Sequence, residues 1–299
     1  MWNPRDAVDA LRAAVQTPMA MHGVARIRLP SLASPPSIRN LRTLLAILSR
    51  GLGHLLPQSY ANNHTALIRD RGKSYANVQT RGHQTNSELR FHSDRADCNL
   101  LLYIRGAAHG GQVAIVEYAA AATVLNSLSP SSYRTLFKPF PFDLREERIF
   151  FEPRWYYRPI LWQGVSGLRG HYIRRFIQDA DRHDGCSPLT AAQRQALDDF
   201  DMVLQDLRPA RSFLPVPGEL VLLDNFRVLH ARDPYIDTPG VGGRLVMRTW
   251  LAPYDSEPLP HFLLPMMGSL EAGSYRGGIG RGARYLSKIG KISPKRRPS

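Results

Sequence analysis

Pro217-Gly218-Glu219-Leu220-Val221-Leu222-Leu223-Asp224-Asn225 reads as a Pro-Gly turn running straight into a buried strand that Asp and Asn close. His230 follows, within Arg227-Val228-Leu229-His230-Ala231-Arg232, and then comes Gly243-Arg244-Leu245-Val246-Met247-Arg248-Thr249-Trp250-Leu251. Side chains alternate along a strand, so Arg244, Val246, Arg248 and Trp250 share one face, and Leu245, Met247 and Thr249 the other. Both faces contain apolar residues, so hydrophobicity alone does not choose the inner one. If the arginines face outward they are solvated. If they face inward they need anionic partners, because an unpaired buried charge is too costly. The planar guanidinium suits that role, since it grips a carboxylate through two hydrogen bonds.

Working outward, the pattern after Leu56 is one of short apolar stretches broken by Gly, Asn and Pro, as in turn-rich β structure. Asn99 to Ile104 and Gln112 to Val116 read as two strands joined by a turn at Gly110-Gly111. The aromatic stretch Phe150 to Trp162 reads as strands near a cavity mouth, and Trp155-Tyr156-Tyr157 either lines a pocket or packs in the core. Helices are expected over Pro4 to Gln16 (Val8, Leu11 and Val15 on one face), Ile38 to Leu52 behind a Ser37 cap, Ala119 to Leu128, and Thr190 to Leu207 with Thr190 as cap. Helices first, then many strands with one helical excursion, point to a mainly β barrel or sandwich with flanking helices. The 299 residues, 43% of them hydrophobic, suffice for one large domain, read here as 1–273. Residues 274–299 read as a basic, flexible arm.

Phe91-His92-Ser93-Asp94 sits at a strand edge, with His92 and Asp94 expected on one face. An imidazole nitrogen and a carboxylate oxygen side by side offer two adjacent ligands to a divalent cation. A third from elsewhere would complete the two-histidine, one-carboxylate face that non-haem iron(II) oxygenases use. Alone, His-x-Asp is equally a surface pair. His64, His83, His109, His171 and His183 read as surface or hydrogen-bonded residues, and Cys98 and Cys186 as lone packing thiols.

Taken together, Phe91-His92-Ser93-Asp94, the Gly110-Gly111 turn, Pro217-Gly218-Glu219 through Asn225, His230, and Arg244-x-x-x-Arg248-x-Trp250 resemble the TauD/TfdA group of 2-oxoglutarate dioxygenases, over roughly Leu52 to Pro253. The resemblance implies a double-stranded β-helix (jelly-roll, cupin-like) core. It implies Fe(II) held by His92, Asp94 and His230, with Arg244 on the distal carboxylate of 2-oxoglutarate. Arg248 would reinforce that contact or anchor an acidic group of the primary substrate, and Asn225 would support the strand and loop carrying His230. The reaction it implies consumes O2 and 2-oxoglutarate, releases succinate and CO2, and oxidises a C–H bond of a small, anionic metabolite, amino acid or natural-product intermediate. Hydroxylation is the leading outcome, with desaturation, cyclisation and epoxidation also open. One departure is that Gln112 and Val113 stand where the family often has Ser or Thr near the co-substrate. Loss of one such neutral hydrogen bond costs about 1 kcal/mol. The alternatives are an AlkB-like oxygenase acting on nucleic acid, or a non-catalytic metal-binding β-barrel.

The net charge of +14 suggests nucleic acid until it is located. Ser274 to Ser299 holds eight basic residues and no acid, which leaves 14 − 8 = +6 on the rest. The arginine spacing also differs from the AlkB pattern, so a small-molecule substrate is expected in place of nucleic acid. No run of eighteen apolar residues predicts a membrane span, and Met1 to Met21, which includes Asp6 and Asp9, lacks the pattern of a secretory leader. A cytoplasmic protein is expected, with a homo-oligomer possible.

Overall fold

The computed structural model describes residues 4–29, 36–73, 84–145, 154–238 and 242–279. The apolar run quoted above is strand β13 (Glu219–Asp224), which lies between two strands from the N-terminal half. Before it in the chain come β1 (Val24–Arg28), β2 (Gly53–Leu56), β3 (Thr65–Ile68), β4 (Leu89–His92), β5 (Cys98–Arg105), β6 (His109–Gly110) and β7 (Val113–Glu117). Then follow β8 (Phe140–Asp143), β9 (Trp155–Arg158), β10 (Leu161–Gly164), β11 (Gly167–Gly170) and β12 (Ser212–Phe213). The last three are β14 (Val228–Arg232), β15 (Tyr235–Ile236) and β16 (Leu245–Pro253). One sheet runs β1-β13-β5-β16-β2 with β3 added alongside β16, and a second runs β12-β7-β14-β4, all antiparallel.

Strand alternation sorts the side chains into three layers. Val221 and Leu223 of β13, Leu101 and Tyr103 of β5, Val246 of β16, Ile115 of β7 and Val228 of β14 meet between the sheets. The opposite face of the larger sheet (Leu220, Leu222, Met247, Leu251) is covered by Leu11 and Val15 of α1 (Pro4–His22) and by Leu41, Leu45 and Leu48 of α2 (Ile38–Leu52). The opposite face of the smaller sheet packs on α3 (Tyr118–Leu128), α4 (Pro130–Leu136) and α6 (Ala191–Leu207), with the five-residue α5 (Arg174–Gln178) between them in the chain. This is a double-stranded β-helix with helical buttresses. The Ser37 cap, whose Oγ accepts from Asn40 N at 3.2 Å, and the Thr190–Gln193 capping box form as expected. No helix among the described residues is long and apolar enough to cross a membrane.

Three expectations need correction. The strands flanking Gly110-Gly111 do not form a hairpin: β5 lies in the larger sheet and β7 in the smaller, so the connection crosses between them. Gly110 instead pairs with Tyr235 at φ +73°, where a Cβ would stand 2.3 Å from Pro234 O, so only glycine fits. α1 runs on past Gln16, through Pro18, to His22. The arm read as starting at Ser274 is packed as far as Ile279. Arg276 is 1% exposed, and its Nε donates to Asp97 Oδ1 and Oδ2 at 3.0 and 3.1 Å. Residues 280–299, the first four residues of the aromatic stretch (150–153) and His83 lie outside the described residues.

At the end of β13, burial pushes the Asp224 carboxyl up to about 6, against the pull of its hydrogen bond from Phe226 N. A folded-state value above the unfolded one means that the penalty appears as pH rises from about 4 to about 6 and persists above that. Asp224→Asn keeps the acceptor. It is expected to unfold at a higher temperature than wild type at pH 7, with the gain shrinking towards pH 4. A constant difference across that range in thermal melts would contradict the burial account.

Candidate active site

β14 pairs with β4 so that His230 stands directly opposite His92. Their inward rings lie 4.2 Å apart at 45°, while Phe91, Leu229 and Ala231 point outward into the helical layer. β4 ends at His92, so Asp94 does not share a strand face with it as expected. The chain turns instead. Ser93 N donates to Tyr172 O at 2.9 Å, and Ser93 Oγ meets Tyr118 Oη at 2.7 Å, both buried. That turn brings Asp94 round to the two imidazoles, with Oδ2 4.0 Å from His230 Nε2.

Asp94 is held from several sides. Its Oδ2 accepts from Asn99 Nδ2 at 2.6 Å, Arg248 Nη1 at 2.8 Å and Trp250 Nε1 at 3.3 Å. Its backbone N donates to Asn225 Oδ1 at 3.0 Å, and Asn225 Nδ2 donates to Ala96 O at 3.0 Å. Asn225 therefore supports the Asp94 loop and not, as expected, the His230 segment. Burial opposes ionisation of Asp94, but the charge of Arg248, helped by the hydrogen bond from Asn99, outweighs it and holds the carboxyl well below the usual carboxylate range. Burial pushes His92 down, and burial together with the neighbouring His92 pushes His230 down to about 3. Two neutral imidazoles thus adjoin an ionised carboxylate, the protonation states that metal ligation requires.

The donor set fits a cation such as Fe(II). His92 Nδ1–H donates to Arg90 O at 2.8 Å, which leaves the Nε2 lone pair free, the arrangement that fixes ligating histidines. His230 Nδ1 is buried without a hydrogen-bond partner. The described residues contain no ready-gathered shell of three such side chains. The 4.0 Å spacing of His230 Nε2 and Asp94 Oδ2 exceeds the separation of about 3 Å between adjacent ligands on an octahedral cation with bonds near 2.1 Å. The cause is on view: Asp94 Oδ2 is drawn to Arg248, Asn99 and Trp250.

Packing settles the face of β16. Met247 and Leu251 meet the helices, whereas Arg244, Val246, Arg248 and Trp250 line a cavity of about 900 Å³ that also takes in His92, Asp94 and His230. Arg248 donates Nε to Gln58 Oε1 at 2.9 Å as well as reaching Asp94, so it lies beside the acid. Arg244 has an Nη1 buried without a partner, and its guanidinium lies 5.3 Å from the ring centre of Tyr235 and 5.7 Å from that of Tyr103. The Tyr235 hydroxyl is likewise buried and unpartnered. Trp155, Tyr156 and Tyr157 do not line this cavity; Tyr156 packs in the helical-side core and Tyr157 is exposed.

Sequence reading missed several supports. His171, read as a surface or hydrogen-bonded residue, is 1% exposed and bonds through Nε2 to Asp94 O at 3.2 Å. Its Nδ1 accepts from Arg158 Nη2 at 2.7 Å, and burial, then Arg158, pushes its pKa well down. Arg158 is itself fully enclosed, 3.3 Å over the Phe142 ring. Neither residue has a local sequence signal. Asn99, five residues after Asp94 at the start of β5, was the one within reach of pattern reasoning.

Residues 2–250 match the family model of the taurine catabolism dioxygenase TauD, TfdA family. The chain belongs to this family. Among curated proteins, FR-33289 synthase of Streptomyces rubellomurinus (strain ATCC 31215) is 27% identical over 222 residues, which is 72% of this chain and 65% of that protein's length. The chain therefore spans slightly under two thirds of that relative. An asparagine oxygenase solved with Fe(II), 3-hydroxyasparagine and succinate superposes with a TM-score of 0.62 at 18% identity, covering 83% of this chain and 79% of the other. The non-heme iron oxygenase OrfP with Fe and alpha-ketoglutaric acid gives 0.58 at 18%, covering 83% and 80%. These structures share the TauD-type double-stranded β-helix with this chain.

Proposed function

We propose that this TauD/TfdA-family protein is an Fe(II)- and 2-oxoglutarate-dependent dioxygenase that hydroxylates a C–H bond of a small anionic metabolite, amino acid or natural-product intermediate. The observation that carries this reading is the meeting of two neutral imidazoles and an ionised carboxylate on the wall of a cavity that also contains an unpartnered buried guanidinium nitrogen. His92, Asp94 and His230 would hold the iron. Bound Fe(II), with 2-oxoglutarate and O2, supplies the oxidising power that converts R–H to R–OH and releases succinate and CO2.

The remaining work falls to the chain's own side chains. Arg244 grips the distal carboxylate of 2-oxoglutarate, its guanidinium steadied 5.3 Å from the ring centre of Tyr235. Asn99, Asn225 and His171 hold Asp94 in place. Ile68, Leu101, Val113 and Val246 give the cavity an apolar lining that excludes water from the reacting centre. An anionic substrate is favoured by the arginine-rich lining of the cavity, to which Arg244 and Arg145 each contribute a guanidinium with a nitrogen unpartnered in the protein.

The protein is expected to bind one equivalent of Fe(II) and one of 2-oxoglutarate under anaerobic conditions. On admission of O2 it is expected to release succinate faster when an anionic metabolite from a screening set is present. Failure to take up 2-oxoglutarate in the presence of Fe(II), or uptake with no succinate formed under any condition, would leave the non-catalytic β-barrel as the better reading.

A further inference from the structure

Arg145 lines the same cavity beside β8 and α5, away from the β16 wall that carries Arg244, and its Nη1 is buried without a hydrogen-bond partner. We propose that Arg145 is the anchor for an oxyanion of the primary substrate, in a subsite distinct from that of 2-oxoglutarate. This rests on the oxygenase reading of the cavity.

The side chain is held ready for a ligand. Its Nη2 donates to Asp179 Oδ2 at 2.7 Å, and its guanidinium lies 4.6 Å over the Phe176 ring, so the direction of the fork is fixed. Nη1 is nevertheless buried with no acceptor. A buried donor on a charged group left in that state is costly and is rarely kept without a role. The backbone carries a further cost. Arg145 sits at φ +55°, a left-handed conformation unfavourable for a residue with a long side chain, and is held there by Asp143 Oδ1 accepting from its N–H at 2.7 Å. Strain kept beside a cavity points to a placement that matters.

The two carboxylates of this wall are already engaged by several bases. Asp179 is shared by Arg145 and Arg175 (Nε at 3.4 Å), and Asp143 by Arg145 (Nε at 3.7 Å), Arg182 (Nη2 at 2.8 Å) and His183 (Nε2 at 3.1 Å). Arg174 is engaged elsewhere, since Asp198 and Asp201 take its Nη2 and Nη1. The subsite also lies close to the proposed iron ligands: α5, which carries Phe176, follows directly on Ile173, and Ile173 forms a β-bridge with His92. A small molecule whose oxyanion is bound at Arg145 would present the rest of its skeleton towards His92, Asp94 and His230. The shared chemistry of a carboxylate, sulfonate or phosphonate suits the planar fork.

Methylphosphonate serves as the probe, titrated by calorimetry into anaerobic protein already saturated with Fe(II) and 2-oxoglutarate, so that the Arg244 subsite is filled. Binding to a single site is expected in the wild type at or below about 10 mM. Arg145→Gln should weaken it by about tenfold or more with the 2-oxoglutarate affinity unchanged, and Arg145→Lys should give an intermediate value. Asp179→Asn, which keeps an acceptor for Arg145 Nη2 but removes a negative charge beside it, should tighten it; a purely structural role for Arg145 predicts no such gain. Equal affinity in wild type and Arg145→Gln, no binding by wild type in that range, or weaker binding by Asp179→Asn would overturn the assignment. A wild-type protein that fails to bind 2-oxoglutarate at all would instead undo the oxygenase reading beneath it.

Discussion

Replacing His230 with alanine is expected to lower Fe(II) affinity and succinate release by more than about 100-fold, the upper range for residues that merely support a metal ligand. The fold should survive, because His230 Nδ1 makes no hydrogen bond that the variant would lose. Asp94 needs a gentler change. Removal of its carboxylate by Asp94→Ala would take from the 7%-exposed Arg248 the anion that its Nη1 reaches, at a cost of about 3–5 kcal/mol. Asp94→Asn keeps the shape and tests ligation more cleanly. Metal uptake by equilibrium dialysis, read beside thermal melts, separates the two effects. A His230→Ala protein that binds Fe(II) as well as wild type and still forms succinate would remove the basis for the metal assignment.

Arg244→Met should raise the Kd for 2-oxoglutarate by about 100-fold, equivalent to about 3 kcal/mol for a lost charge-assisted pair, while leaving Fe(II) affinity close to wild type. The stability cost should be small, since the lost packing is mainly against Tyr103 and Tyr235 and Nη1 bonds to nothing in the protein. Arg248→Met provides the contrast. Its guanidinium lies on Asp94, so metal affinity is expected to fall there before 2-oxoglutarate affinity does. Calorimetric titrations of each ligand into both variants decide the matter, and reversed profiles would exchange the two roles.

Much of this was legible in the sequence, where the signal was local. The unbroken run of β13, the alternation of β16, and the caps of α2 and α6 each depend on neighbours a few residues away, and each appears in the structure close to where it was read. The inward direction of Arg244 and Arg248 was not decidable from alternation. What decides it is that Met247 and Leu251 have α1 and α2 to pack against, a fact that belongs to the assembled layers. The Gly110-Gly111 turn misled for a related reason: tight turns look alike whether the chain returns to its own sheet or crosses to the next. Composition concealed Arg276 in the same way, because a basic, glycine-rich segment gives no hint that one of its cations meets a buried carboxylate. The His171–Arg158 support of Asp94 joins residues from a different part of the chain and carries no motif at all.

In the larger sheet, Val24 pairs with Leu223, Leu102 with Leu220 and Leu56 with Trp250. A ribosome producing this chain would therefore release β1, β2 and β5 long before their partners exist. Such remote pairing makes for slow folding and leaves apolar strand edges open to aggregation until β13 and β16 have been made. Heterologous production should gain from cooler, slower expression and from chaperone supply. Its failures should collect as insoluble nascent protein and not as soluble enzyme lacking its cation.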